Sequence, residues 1–169
     1  MKLARWLSHA FRSQRAVDRA LPPEALGGIE AVIAAGETTH RGEIRLAVEA
    51  ALPWSYLKRD APARERAEML FAKLRVWDTD ERNGVLIYIE LADRAIEIVA
   101  DRGLARVVPP AAWPPIVAQM ADRFRGGDFG GGVIAGIEQV SALLSRHFPA
   151  GDGTRNADEL PNRPVIVGR

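Results

Sequence analysis

Hydrophobic residues recur along the chain at two spacings that change from segment to segment. Spacing of three to four residues predicts helices in five segments: residues 1–17, 21–36, 60–76, 111–124 and 132–148. Strict alternation over Glu43–Leu52 predicts a strand with one polar face. The apolar run Gly84–Leu91 and its return Ala95–Ala100 predict a second and third strand, paired as a hairpin.

Helices before, between and after these strands indicate an α/β domain. We predict a three-layer α/β/α sandwich with a small mixed sheet and helices on both faces. A length of 169 residues fits one such domain with short extensions. The pattern divides the chain into a basic amphipathic helix (1–20), the α/β domain (21–149) and a polar flexible tail (150–169). Within the tail, only the apolar run 165–167 has the composition to dock on the domain.

The first helix is both apolar and cationic. Residues 1–20 carry five Lys and Arg and one Asp, a net charge of +4, although the whole chain carries only +1. One interpretation places this helix against an anionic membrane surface, with Trp6 and Phe11 as anchors, or against a protein partner. The other is a terminal helix that packs its apolar stripe on the domain, which is the commoner arrangement.

Composition and motif spacing exclude several classes of function. The chain has no cysteine, so disulfides, thiolate catalysis and Cys-ligated zinc are ruled out. No basic stripe interleaved with aromatics follows the first helix, so we expect no nucleic-acid partner. The glycine cluster Gly126–Gly131 lacks a Lys-Ser/Thr pair and follows a predicted helix, so we expect no nucleotide cofactor.

The expected location is cytoplasmic, at most peripheral to a membrane. The apolar residues near the N-terminus are interrupted by arginines and do not form the continuous core of a secretory signal. No segment approaches the roughly 20 apolar residues needed to span a bilayer.

Polar side chains at the predicted strand ends are the candidates for chemistry. Glu43 begins the first strand, and Asp80 lies in the acidic loop before the second, so both are candidate cation ligands. The loop does not have calcium-loop spacing, since the twelfth position counted from Asp78 is Ile89 rather than Glu. A solvated loop and ordinary turn residues remain the alternative interpretation.

A set of short motifs resembles the TPM-domain family over about residues 40–147. The family pattern combines an Asn-Gly before a hydrophobic strand, an Asp-Arg turn, a second strand ending in Gly-Tyr-Gly-Leu, and Phe-Arg-x-Gly-Asp-Tyr before the last helix. This chain has Asp101-Arg102 where the pattern has Gly-Tyr. The matching segments here are Asn83–Tyr88, Ala92–Arg94, Ile96–Val99 with Gly103-Leu104, and Phe124–Phe129 with Gly136-Ile137. Among its members, the chain is similar to the short bacterial proteins that have a basic N-terminal helix.

The resemblance implies an α/β/α sandwich and two kinds of activity. One is divalent-cation-dependent, phosphatase-like hydrolysis of phosphate esters with Ca²⁺ or Mg²⁺. The other is a non-catalytic cation- or partner-binding module that supports assembly or repair of a membrane-associated complex. Carried onto this sequence, the family pattern implies Asn83, Asp93 and Arg94 as catalytic residues. Asp93 and Asp128 then join Glu43 and Asp80 as metal ligands, and Arg94 neutralises phosphate charge.

Overall fold

The computed structural model describes residues 3–151 and 159–168. Its strands are β1 (Ile44–Glu49), β2 (Val85–Glu90), β3 (Ala95–Ala100) and β4 (Val165–Val167). Its helices are α1 (Leu3–Phe11), α2 (Gln14–Ala20), α3 (Pro23–Glu37), α4 (Trp54–Lys58), α5 (Ala63–Lys73), α6 (Arg102–Ala105), α7 (Trp113–Arg125) and α8 (Phe129–His147), with a 3₁₀ turn at Pro110–Ala112.

The four strands form one mixed sheet in the order β3-β2-β1-β4. β1 runs parallel to both β2 and β4, whereas β2 and β3 form the antiparallel hairpin that the sequence predicts. The predicted α/β fold with a small mixed sheet is confirmed. β1 and β2 are buried along their whole length, because helices cover both faces of the sheet.

Alternate side chains of the strands enter two separate cores. The larger core joins one face of the sheet to α2, α3, α7 and α8, and contains Leu46, Ile87 and Ile98. The smaller core joins the other face to α5, and contains Leu86 and Tyr88. In β1 and β2, the period of two therefore places every second residue on the same side as Tyr88, including Glu49 and Glu90.

The N-terminal segment differs from the predicted single helix. It forms two helices separated at Arg12 and Ser13, and Val17 of the predicted apolar stripe, in α2, is buried. Leu7 and Phe11 face solvent. The expectation that the first helix packs its apolar stripe on the domain therefore holds for Val17 of α2 but not for Leu7 and Phe11 of α1, and polar contacts hold α1 in place.

Other boundaries move for local reasons. Residues 165–167 pair with β1, so the tail predicted over 150–169 does not extend through them, and its residues 152–158 and 169 lie outside the described ranges. α8 begins at Phe129, inside the glycine cluster, because Asp128 caps it by accepting a hydrogen bond from the Gly131 amide at 2.9 Å. Pro62 occupies the N-cap of α5, so the helix predicted from residue 60 begins at Ala63.

Candidate functional site

Buried carboxylates lie together where the parallel strands β1 and β2 end. Glu49 and Glu90 are the last residues of these strands and face each other in register. The turn after β2 adds Asp93, and α1 crosses this edge of the sheet with Arg5 and His9 directed inward. The carboxyl ends of parallel strands are a common place for ligand sites, because loops diverge there.

Arg5 and Asp93 form the strongest link between α1 and the sheet. The Arg5 guanidinium donates from Nε to Asp93 Oδ2 at 2.9 Å and from Nη2 to the same oxygen at 2.8 Å. It also donates to Asp60 Oδ1 at 2.6 Å and to the Ala61 carbonyl at 2.7 Å. Burial raises the pKa of Asp93, but the hydrogen bonds from Arg5 and His9 outweigh it, and the net pKa lies below the ordinary value.

His9 is buried between the two carboxylates of the β2–β3 hairpin. The Leu52 amide donates to its Nδ1 at 3.0 Å, so the ring proton lies on Nε2, 2.9 Å from Asp93 Oδ1. Nδ1 also lies 3.7 Å from Glu90 Oε1. One face of α1 therefore contributes a cation and an imidazole, four residues apart, to the same turn.

Glu90 is a buried carboxyl group held by backbone amides. The amides of Ala92 and Asp93 donate to its two oxygens at 2.9 and 2.7 Å. Burial raises the pKa of Glu90 to about 7, and these two hydrogen bonds offset only part of that increase. A carboxyl group with a pKa in this range can accept or donate a proton near neutral pH.

Glu49 is neutralised by a different set of partners. Arg66 of α5 binds it through Nε at 2.9 Å and Nη2 at 2.5 Å, and the Tyr88 hydroxyl donates to Glu49 Oε2 at 2.6 Å. Burial, followed by the Glu49 charge, raises the pKa of Tyr88 above its ordinary value. Glu49 is thus held by a closed network inside the smaller core.

His9, Glu90 and Asp93 can hold a metal ion. One ligand atom from each lies within 4.8 Å of the others. The set combines one imidazole nitrogen with two carboxylates, donors that suit a divalent cation. Protein groups also hydrogen-bond to these atoms, and a cation taking Asp93 would compete with Arg5 for its oxygens.

An arginine-lined cavity adjoins this trio. It has a volume of about 680 Å³, a size typical of small-molecule sites. Glu90 belongs to its lining, together with apolar residues such as Phe124 and Phe129. Four arginines from three parts of the chain also line it: Arg12, Arg19, Arg94 and Arg125. Within the described ranges, Arg12 and Arg94 make no ion pair or side-chain hydrogen bond.

The predicted site residues fall into three places. Asp93 joins the trio, and Arg94 follows it with its side chain on the cavity. Asn83 lies at the other end of β2, roughly 20 Å of extended strand away. It is buried and donates to the Arg41 carbonyl at 2.9 Å. Asp128 caps α8 and binds Arg123 at 3.1 Å.

Glu43 and Asp80 lie at the same end of the sheet as Asn83. The Glu159 amide lies 3.5 Å from Glu43 Oε1, and the Glu159 carboxylate accepts from the Asp80 amide at 3.2 Å. Of the four predicted metal ligands, the structure therefore places only Asp93 in the trio.

The sequence contains a signal for the residues that pattern analysis missed. Glu49 and Glu90 are single carboxylates at the ends of two strongly apolar strands. A charge buried there is costly unless it is paired or hydrogen-bonded, so each carboxylate predicts a nearby partner. Arg5 and His9 are four residues apart on one helix. No local pattern, in contrast, brings the cavity arginines together, because they come from distant segments.

Comparison with known proteins agrees with this architecture. The chain matches the model of the TPM domain over residues 17–143. The NMR structure of BA42 protein from the psychrophilic bacterium Bizionia argentinensis is 29% identical, with a TM-score of 0.76, covering 86% of this chain and 94% of that one. The N-terminal domain of a P. gingivalis protein is 21% identical, with a TM-score of 0.60 and coverages of 79% and 85%, and so shares the fold.

No curated protein sequence matches the chain. The family model nevertheless spans most of the domain, and the sequence motifs that resemble the family lie on the hairpin and helices within this span. This chain belongs to the TPM-domain family.

Proposed function

We propose that this TPM domain binds phosphate esters in the arginine-lined cavity and hydrolyses them with a divalent cation held by His9, Glu90 and Asp93. The observation that carries the proposal is the cavity itself. Four arginines surround a partly apolar space, and the Asp93-Arg94 turn joins it to the trio, because Asp93 belongs to the trio and Arg94 to the cavity lining. Arginine is well suited to phosphate, since its planar guanidinium can donate two hydrogen bonds to one phosphate group.

The protein groups have distinct roles in this hydrolysis. Arg94 and Arg12 bind the phosphate oxygens and neutralise their charge, while Phe124 and Phe129 contact the apolar part of the ester and exclude water. A bound cation would polarise a phosphoryl oxygen and make water more acidic. Water supplies the new oxygen on phosphorus, the bond to the ester oxygen breaks, and the alcohol leaves.

The choice of cation is part of the proposal. The family resemblance implies Ca²⁺ or Mg²⁺, which prefer oxygen ligands. The imidazole of His9 adds a nitrogen donor, which also suits Mn²⁺ and Zn²⁺. An assay should therefore include all four ions.

A second candidate is a cation- or partner-binding module without catalysis. It is favoured by one observation: the oxygens of Glu90 and Asp93 and Nδ1 of His9 already accept hydrogen bonds from the protein. In this function the trio fastens α1 to the hairpin, and the cavity binds an anionic ligand without transforming it.

Hydrolysis of a chromogenic phosphate ester separates the two candidates. We expect turnover that requires a divalent cation and falls at least tenfold in Arg94→Gln and Asp93→Asn. Arg82→Gln is a matched control, because Arg82 is also exposed and has a φ of 53°, against 55° for Arg94, but lies at the other end of β2. Phosphate binding without turnover would support the binding module, and equal loss in the Arg82 variant would contradict the proposed site.

A further inference from the structure

Helix α1 presents the apolar side chains of Leu7 and Phe11 to solvent. Arg5 and His9, four residues apart, contact the hairpin, so they define the inner face of the helix. Leu7 and Phe11 are also four residues apart and occupy the opposite face, where their side chains are 42% and 81% exposed. The usual arrangement, with apolar residues against the domain and polar residues outside, is reversed.

Helix α4 extends this exposed apolar surface. Trp54 is 57% exposed, and its ring contacts the Trp6 ring edge-on at a centroid distance of 5.8 Å. Trp6 lies on the side of α1 between the inner and outer faces, and its contact with Trp54 connects α1 to α4. We name the surface of Leu7, Phe11 and Trp54 the docking face.

Positive charge borders the docking face. Arg12 follows Phe11 directly, and Arg15 and Arg19 continue along α2 with exposed side chains. The only acidic residue among the first twenty is Asp18. A partner for this surface must therefore accept apolar side chains and supply negative charge beside them.

A second copy of the chain fits these requirements poorly. A two-fold interface places the same patch on both subunits, so Arg12 and Arg15 would oppose the same cations of the partner. An anionic lipid bilayer meets both requirements, because its interface accepts aromatic and leucine side chains while its phosphates attract arginine.

We propose that the docking face binds the surface of an anionic phospholipid bilayer, with Leu7, Phe11 and Trp54 inserted and Arg15 against lipid phosphates. This function does not require hydrolysis, and the Arg5 and His9 contacts keep α1 folded on the domain while its outer face binds lipid. None of the described helices is long and apolar enough to cross a membrane, so the contact lies on the surface.

Cosedimentation of the full chain with vesicles tests the proposal. Vesicles of phosphatidylcholine mixed with phosphatidylglycerol should bind the protein, and pure phosphatidylcholine vesicles should bind at least tenfold less. Phe11→Ser combined with Leu7→Ser should weaken binding about tenfold, since affinity scales with inserted apolar area. Arg15→Gln should weaken it about fivefold, and added salt should weaken it further.

Matched variants elsewhere keep the test specific. Val107→Ser removes an apolar side chain of similar exposure to Leu7. Trp77→Ala is the control for Trp54→Ala, a further docking-face variant that should also weaken vesicle binding; each of these control residues is 46% exposed. Arg146→Gln, at the end of α8, matches Arg15→Gln. The controls should bind vesicles like the original protein, with circular dichroism confirming that every variant is folded.

Three results would overturn the proposal. The first is equal binding of the protein to neutral and anionic vesicles. The second is vesicle binding that the paired Leu7 and Phe11 substitutions leave unchanged. The third is the absence of vesicle binding together with a dimer that these substitutions abolish. The last result would assign the docking face to a second copy. Phosphate-ester turnover is measured separately in the absence of lipid, so loss of membrane binding and loss of the proposed hydrolysis remain distinguishable.

Discussion

Arg5 and Asp93 are 88 positions apart in the sequence, and their side chains share three hydrogen bonds of 2.8 to 3.2 Å. This contact decides which side of α1 faces the domain. It also places His9 against the β2–β3 turn, where Asp93 and Glu90 are its neighbours. The same residue, Asp93, thus holds the N-terminal helix in place and offers a ligand atom for a cation.

Replacing Arg5 with Gln should loosen α1. Hydrogen bonds to charged groups contribute about 1.5–3 kcal/mol, and the partial exposure of both side chains favours the lower end, so we expect a loss of about 1–2 kcal/mol in the free energy of unfolding. Urea denaturation measures the loss, and hydrogen exchange should show faster exchange of the α1 amides. Arg125→Gln removes an exposed pair with Asp122 and should change stability by less than about 0.5 kcal/mol. Equal losses in both variants would show that the Arg5 contact has no special role.

The same Arg5→Gln variant should bind a divalent cation more tightly. Arg5 occupies the Asp93 oxygens that a cation would use, and removing a competitor of even about 1.4 kcal/mol increases affinity tenfold. Calorimetric titration with Mn²⁺ or Mg²⁺ measures this increase. Asp93→Asn should abolish the binding, whereas Asp78→Asn, in an exposed loop, should not. Binding that Asp93→Asn leaves unchanged would argue against a cation at the trio, and weaker binding in Arg5→Gln would show that holding α1, which carries His9, matters more than freeing the Asp93 oxygens.

The sequence predicts those parts of the fold that local patterns determine. Continuous apolar runs identify the hairpin from Asn83 to Asp101, and three-to-four spacing identifies the main helices. β4 has only three residues and gains its partner from β1, more than a hundred positions away, so no local pattern specifies its pairing. The Leu7 and Phe11 spacing predicts an amphipathic helix. The side of this helix that faces the domain is determined instead by Arg5, because its partner Asp93, far along the chain, binds it there.

The candidate site is less predictable than the fold for the same reason. The Asp-Arg turn implied Asp93 and Arg94 as site residues. The structure places Asp93 in the trio and Arg94 in the lining of the cavity. His9 and Glu90 become neighbours only when α1 crosses the end of β2. Asn83 was implied by the same family pattern, but it lies at the opposite end of that strand, where it ties β2 to the Arg41 carbonyl.

Acid should destabilise the protein through His40. Burial lowers the pKa of His40 below 6.5, although a backbone hydrogen bond at Gly42 offsets part of this decrease. The unfolded chain therefore binds a proton near pH 6.5 that the folded chain does not, so this contribution to stability is full above that pH and is lost as the pH falls.

The His40 contribution should amount to at most about 1.4 kcal/mol per pH unit below 6.5, the value for one proton, and Glu90, whose pKa is raised to about 7, contributes with the opposite sign over the same range. Thermal or urea unfolding between pH 5 and 7.5 measures the His40 contribution as the difference between the slopes of the original protein and of His40→Gln. His147→Gln, a half-buried histidine at the end of α8, should keep the slope of the original protein. A slope that His40→Gln leaves unchanged would exclude His40 as its source.

A methyl group at Gly84 should severely destabilise the domain. A Cβ there would lie 2.0 Å from the Val76 carbonyl oxygen and 3.1 Å from the Val76 carbonyl carbon, so the backbone itself would have to shift. The Asn83-Gly84 pair of the family motif is thus required where the loop after α5 crosses the start of β2. We expect Gly84→Ala to cost about 3 kcal/mol, as overpacking against rigid backbone does.

Gly28→Ala provides the contrasting control for Gly84→Ala. Gly28 lies within α3, and a Cβ there would have no heavy atom within 4 Å. Alanine is favoured over glycine inside a helix, so this variant should gain about 0.5–1 kcal/mol. Urea denaturation of the two variants should therefore shift the midpoint in opposite directions. If Gly84→Ala unfolded at the same urea concentration as the original protein, the loop could move away from β2, and the glycine of this motif would have to be explained by something other than close packing.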